Sequence, residues 1–238
     1  DRASVTVFAA ETRPYYPRPN LIEFIAGRLP QEKMHAFPPD WAEKIRVDLR
    51  LGTPIRRIRP AEKTAEASDG SVVSFDALLL ADGASAGIPP IAGAGKPGVF
   101  TVRTIDDALA LLDYFQSHRR VAVLGGGLLG LEIARALRVR EAEVVVAEIF
   151  PSLLPRQLDP QGGEILKARI EAGGIRVLLG VAAAEIIGDP EARGIRFKDG
   201  TTLEADLIIL AAGVRPNTEL AREAGLTVDK GVVVDDRM

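Results

Sequence analysis

Apolar and polar residues follow two rhythms along this chain, short apolar runs and longer stretches with helical spacing, and the two take turns. Residues 3–9 (Ala-Ser-Val-Thr-Val-Phe-Ala) predict a strand. A proline-rich loop follows, where Pro14, Pro17 and Pro19 favour extended backbone. A short helix is expected over 20–27, after Pro19 as a favoured first-turn residue, and another over 40–45 with Asp40 as its cap. Strands are expected over 46–51, 54–59 and 72–75. The run from Phe75 to Ala81 reads as a buried strand. Residues 88–100 are rich in proline and glycine and read as a linker. Thr104 caps a helix expected over 104–117, with Asp106 and Asp107 placed to favour its dipole. Strand 120–124, a glycine turn, helix 128–140 and strand 143–148 make a βαβ unit. Helix 160–173 stops at Gly173-Gly174, strands follow over 175–179, 182–187 and 193–198, and 206–212 is a buried run. This alternation predicts an α/β fold with largely parallel sheets.

The chain also resembles itself at an offset of 130 residues. Asp69 to Gly83 and Asp199 to Gly213 each read as a turn, a short strand, an aspartate, an apolar strand and a glycine, with six of fifteen positions identical. Such self-similarity predicts two related nucleotide-binding units. The second has a glycine turn at 125–130. By the same logic the first should have one ahead of the strand at 3–9, about twenty residues before Asp1.

That glycine turn is the strongest chemical signal. Val121 to Glu132 fits G-x-G-x-x-G with Gly125, Gly127 and Gly130. The first glycine permits the tight turn, the second lets backbone approach a pyrophosphate, and the third lets helix and strand pack closely. The helix beginning near Leu128 and Leu129 offers free N–H groups and the positive end of its dipole. Glu148 ends the next strand, 18 residues after Gly130, where a carboxylate can accept hydrogen bonds from the 2′-hydroxyl of an adenosine ribose. The same charge repels a 2′-phosphate. Ile149 and Phe150 supply no arginine and Arg156 reads as a loop residue, so NAD is favoured over NADP.

Composition narrows the chemistry. The 238 residues include no cysteine and two histidines, which excludes disulfides, thiolate metal sites and a redox dithiol within this chain, and no metal site is expected. Thirty lysines and arginines against 33 acids give a net charge of -3, with no basic excess pointing to nucleic acid. No apolar run is long enough to span a membrane. The first residues, Asp1-Arg2-Ala3-Ser4, are neither a signal peptide nor an initiator methionine. Trp41, Tyr15 and Tyr16 read as packing residues, Arg56-Arg57 and Arg119-Arg120 as solvated edges, and His35 and His118 earn no role.

Several segments together resemble the pyridine nucleotide-disulfide oxidoreductase superfamily, in the branch of NADH:rubredoxin reductases, ferredoxin reductases and the N-terminal part of nitrite reductase large subunits. They are Pro14 to Pro19 with Ile25-Ala26-Gly27, Phe75 to Gly83, Val102 to Ala108, the 121–132 turn, Leu153 to Arg156, and Ala211 to Asn217. The resemblance implies two Rossmann-like domains, an FAD domain interrupted by an NAD domain. Residues 1–100 would be the first FAD part, 101–213 the NAD domain, and 214–238 the return to the FAD domain. It also implies that the FAD domain is incomplete here: its glycine turn and its late Gly-Asp motif fall outside 1–238, so the chain reads as part of a longer flavoprotein that binds little FAD by itself.

By the same resemblance Glu132 is the catalytic candidate near the nicotinamide. Gly213 is a close-approach glycine of the NAD site, with its counterpart Gly83 and Ala81 near the flavin. Arg18 and Pro19 match the family's Arg-Pro beside the flavin, and Glu11 is a candidate for the FAD ribose. Asp82 stands where the family commonly has Thr, and Glu23 where relatives often place a basic residue. The implied activity is an FAD-dependent NADH oxidoreductase without an active-site cysteine. It would pass electrons to a small redox protein or a downstream redox domain, with rubredoxin, ferredoxin or a nitrite-reducing centre as acceptor, in a cytoplasmic setting without membrane or nucleic-acid partners. The alternative is a non-catalytic NAD-binding or sensing module on the same scaffold, which a yellow colour of the intact protein would exclude.

Overall fold

A computed structural model describes residues 3–237; Asp1, Arg2 and Met238 lie outside that range. The first part of the chain forms β1 (Val5–Phe8), α1 (Asn20–Ile25), α2 (Trp41–Lys44), β2 (Val47–Arg50), β3 (Ile55–Arg59), β4 (Thr64–Ala67), β5 (Val72–Ser74), β6 (Ala84–Ala86) and β7 (Val99–Phe100). Next come α3 (Ile105–Phe115), β8 (Arg120–Leu124), α4 (Leu128–Val139), β9 (Glu143–Glu148), α5 (Pro160–Ala172) and β10 (Ile175–Leu179). The chain continues with β11 (Ala183–Ile187), β12 (Gly194–Phe197), β13 (Thr202–Glu204), β14 (Leu207–Leu210), β15 (Val214–Pro216) and α6 (Glu219–Glu223).

Two compact units emerge. One comprises Asp1–Pro17, His35–Ser85 and Arg215–Met238; the other comprises Arg18–Met34 and Ala86–Val214. These divisions differ from the expected ones at 100 and 213. Residues 18–34 group with the second unit because α1 packs on α3 and α4, burying Leu21 and Ile25.

The second unit is built on a five-stranded sheet in the order β10-β9-β8-β14-β7, parallel throughout. Parallel sheets need cover on both faces, and β8, β9 and β14 are correspondingly almost continuously apolar and buried. Helix α4 turns Ile133, Ala134 and Leu137 into the core, the i, i+1, i+4 spacing of one helical face. The antiparallel meander β11-β12-β13 contributes to another cluster: Ile186, Ile195 and Phe197 join Ala122, Leu124, Ile208 and Leu210. Each such aliphatic side chain contributes roughly 1.5–3 kcal/mol when fully buried. Thr104 caps α3 through a reciprocal capping box with Asp107.

Arg120 is not the solvated edge expected of it. Its Nε and Nη2 donate to the two carboxylate oxygens of Asp206, both at 2.8 Å, joining the start of β8 to the residue before β14. The Arg120 hydrogen bonds hold the Asp206 carboxyl below the ordinary aspartate value of 3.8, against the upward pull of burial. A depressed carboxylate stabilises the fold above its unfolded value, and that stabilisation is lost as pH falls through the folded value. Asp206→Asn is therefore expected to cost about 1–2 kcal/mol at neutral pH. It should also flatten the loss of stability below about pH 4. Urea melts across pH check both.

The repeat at offset 130 is structural. β3-β4-β5 in the first unit and β11-β12-β13 in the second are both three-stranded antiparallel meanders, each with a bulge between its first two strands. Asp69 accepts from the Ser71 N–H and hydroxyl at 2.9 and 2.7 Å; Asp199 accepts from the Thr201 N–H and hydroxyl at the same two distances. In both turns these bonds lower the aspartate pKa, the hydroxyl bond first. The parallel pair β1-β2 corresponds to β9-β10.

The symmetry ends at the apolar run 75–81. It forms no strand, and Leu78 and Leu79 are 43% and 81% exposed, whereas its counterpart β14 is fully buried. β14 has β8 on one side and β7 on the other, which satisfies its N–H and C=O groups. No strand pairs with 75–81 among the described residues, so its backbone has no ladder to join.

Candidate functional site

The glycine turn joins the end of β8 to the start of α4, and its four glycines have different duties. Gly125 has φ +125, and a Cβ there would sit 2.5 Å from the Ala211 carbonyl oxygen. A Cβ at Gly130 would overlap the carbonyl oxygen of Gly125. One at Gly126 would meet Leu153 Cδ2 at 2.6 Å and the Glu148 side chain at 3.1 Å. Around Gly127 nothing lies within 4 Å. Three glycines thus serve packing, and one opens backbone to an incoming group. Gly127 is the N-cap of α4, and no side chain caps that end. A 12-residue helix therefore presents its first N–H groups and its dipole there.

Behind the turn stands Glu148, one of two buried polar or charged residues at 7% exposure. Its Oε2 accepts from the Gly126 N–H at 2.5 Å and its Oε1 from the Phe150 N–H at 2.9 Å. The carboxylate thus ties the glycine turn to the chain leaving β9. Leu128, Leu129, Ile149 and Phe150, which flank these two segments, are all exposed. Ala211 follows β14, donates from its N–H to Leu124 O at 2.9 Å and packs against Gly125 and Gly130. Gly213, two residues on with φ +89, accepts from the Gly87 N–H. Glu132 is exposed on α4, and its Oε2 accepts from Arg135 Nη2 at 3.0 Å.

Arg18 and Pro19 fall in this same unit. Pro19 is the N-cap of α1, and Arg18 Nη1 donates to the Arg103 carbonyl at 2.9 Å. The remaining candidates lie in the first unit. Glu11 accepts from the hydroxyl of Tyr16, a buried residue. Ala81 and Gly83 line a cavity of about 190 Å³ with Leu80, Asp82, Pro216, Asn217 and Val232. Asn217 organises its wall by donating from Nδ2 to Asp82 O at 2.8 Å and from N–H to Gly83 O at 3.0 Å, while Ser85 donates to its Oδ1. Burial raises the pKa of the Asp82 carboxyl.

Sequence reasoning overlooked Gly126, Asn217 and Arg135. Gly126 left a trace, since three consecutive glycines exceed what G-x-G needs. Asn217 and Arg135 left none, because their partners are distant in sequence or look like ordinary surface charge. Among the described residues no group of three His, Cys, Asp or Glu could hold a metal ion, and no helix is long and apolar enough to cross a membrane.

A parallel sheet, a glycine turn opening an uncapped helix and a buried acid at the end of the following strand define a dinucleotide-binding α/β protein. The chain belongs to the pyridine nucleotide-disulphide oxidoreductase family, whose sequence pattern matches residues 1–238. It is 37% identical over 238 residues to the nitrite reductase [NAD(P)H] of Bacillus subtilis, covering all of this chain and 30% of that protein. Among solved structures it is similar to a ferredoxin reductase from Rhodopseudomonas palustris, with TM-score 0.94, 28% identity, and coverage of 98% of this chain and 58% of the other. The NADH:rubredoxin oxidoreductase of Clostridium acetobutylicum gives TM-score 0.84 and 26% identity, with the same two coverages. The chain thus spans less than two thirds of each. With these structures it shares an α/β fold of two Rossmann-like nucleotide-binding units, one interrupting the other.

Proposed function

We propose that this chain is the nucleotide-handling part of an FAD-dependent NADH oxidoreductase that delivers electrons to a redox acceptor. The observation that carries the reading is the glycine turn. Gly127 leaves room for a pyrophosphate, α4 offers uncapped N–H groups beside it, and Glu148 stands at the ribose position. The residues present fit NADH. Gly125, Gly127, Leu128, Leu129 and Gly130 would hold its pyrophosphate and Glu148 its adenosine ribose, with Gly213 close by. Glu132 would lie near the nicotinamide and act on its orientation. For the flavin the support is family membership together with Glu11, Arg18, Pro19, Ala81 and Gly83. NADH supplies a hydride and the flavin accepts it, for release to the acceptor. The protein contributes position and electrostatics, and it contributes no thiol, since the chain has no cysteine.

The acceptor proposed is a small redox protein or a downstream redox domain. The nitrite reductase and ferredoxin reductase relatives support ferredoxin, rubredoxin or a nitrite-reducing centre, and a cytoplasmic setting supplies NADH. The test is anaerobic addition of NADH to the flavin-loaded protein. Bleaching of the flavin's visible absorbance, followed by reoxidation on adding one acceptor at a time, is expected. A colourless protein that binds NADH tightly would instead favour a sensing module.

NADH should be preferred over NADPH by at least about tenfold in kcat/KM, because a buried carboxylate facing a 2′-phosphate costs more than about 1.4 kcal/mol. Equal efficiencies with the two nucleotides would count against the role given to Glu148.

A further inference from the structure

Glu132 does not stand alone on α4. One turn further along, Arg135 donates to its Oε2 from Nε at 3.2 Å and from Nη2 at 3.0 Å. The same Nη2 donates to Glu23 Oε1 on α1 at 3.3 Å, and Arg28 Nη1 lies 3.6 Å from the other oxygen of Glu23. Two acids and two bases therefore form a neutral chain across the packed pair α1 and α4. All four side chains are 40–50% exposed, and at that exposure such pairs add little to stability. The geometry is nonetheless specific. Arg135 uses two nitrogens on one oxygen of Glu132, while Oε1 has no partner among the described residues. A carboxylate gripped at one oxygen has lost the freedom to rotate away and keeps the other oxygen ready to accept.

We infer that Arg135 is a positioning residue: anchored to α1 through Glu23, it fixes Glu132 so that Oε1 accepts a hydrogen bond from the carboxamide N–H of a bound nicotinamide. This rests on the reading of the glycine turn as an NADH site. It also gives Glu23 a purpose. An acid at this place on α1 needs a cation beyond it to reach Glu132, and Arg135 is that cation.

The test is calorimetric titration of the 238-residue chain and its variants with NADH and with ADP-ribose, which lacks the nicotinamide. Arg135→Ala should weaken NADH about fivefold, the scale of part of one charge-assisted hydrogen bond, and leave ADP-ribose unchanged. In a Glu132→Gln background the same change should cost nothing further, since the residue it positions has lost its charge. Adding Glu23→Lys to Arg135→Ala should recover most of the loss by placing a cation across from Glu132. Because the pairs are exposed, high salt should shrink the whole effect. Equal weakening of both ligands, or none of either, would overturn the inference while leaving the NADH site standing. Failure of the parent chain to bind either ligand would overturn the NADH site and this inference with it. Circular dichroism of each variant separates loss of fold from loss of contact.

Discussion

Gly130→Ala is expected to lower the stability of the nucleotide unit by at least about 3 kcal/mol and to abolish NADH binding with it. The added Cβ would fall on the carbonyl oxygen of Gly125 and touch Ala211, and both are parts of buried strand ends rather than movable side-chain tips. To admit it, α4 must lift from the ends of β8 and β14, loosening Ile133 and Leu137 in the core. The helix gains from alanine only about 1 kcal/mol of propensity, too little to offset that. Gly127→Ala makes the contrast. Its φ of -79 suits any residue and its surroundings are open, so the fold should lose less than about 1 kcal/mol. Yet the methyl group would occupy the space offered to the pyrophosphate, and NADH affinity should fall at least about tenfold. Thermal melts and NADH titrations of the two variants should thus dissociate. A Gly130→Ala protein that melts like the parent would show that helix and strand are less closely packed than described.

The nucleotide unit was legible because its strands are buried on both faces. Continuous apolar runs at 121–124, 144–147 and 207–210 leave a sequence reader little choice, and each is a strand in the parallel sheet. The run 75–81 carries the same pattern and is not a strand. Hydrophobicity reports what a strand would bury, whereas pairing depends on neighbours that no local pattern encodes. Grouping of α1 with the nucleotide unit was hidden for the same reason, being decided by contacts of Leu21 and Ile25 with helices more than eighty residues away. Glu148 could be placed by spacing alone, since the length of one βα turn and one helix fixes where the next strand ends. What spacing could not reveal is that its two oxygens are already engaged by backbone.

That double engagement makes Glu148 a structural residue as well as a ribose ligand, and its removal should be felt twice. Glu148→Ala leaves the buried N–H of Gly126 and the half-buried N–H of Phe150 without acceptors. Each orphaned donor costs about 1–3 kcal/mol, so a loss of about 2–4 kcal/mol is expected before any ligand is added. The same substitution removes the charge that disfavours a 2′-phosphate, so the preference for NADH over NADPH should narrow. NADH itself should bind more weakly, both for want of a ribose acceptor and because Gly126 is no longer held where Gly127 meets the pyrophosphate. Glu148→Gln separates these effects. Its amide keeps one acceptor oxygen and turns an NH2 group toward the other backbone N–H, so about half the stability loss should remain. The charge is gone in both variants, and the nucleotide preference should relax to the same degree. Stability from denaturant melts and the NADH to NADPH ratio of dissociation constants are therefore expected to move independently across parent, Gln and Ala. If instead the ratio tracked stability, the carboxylate would be acting only through the shape of the turn, and its proposed contact with the ribose would be withdrawn.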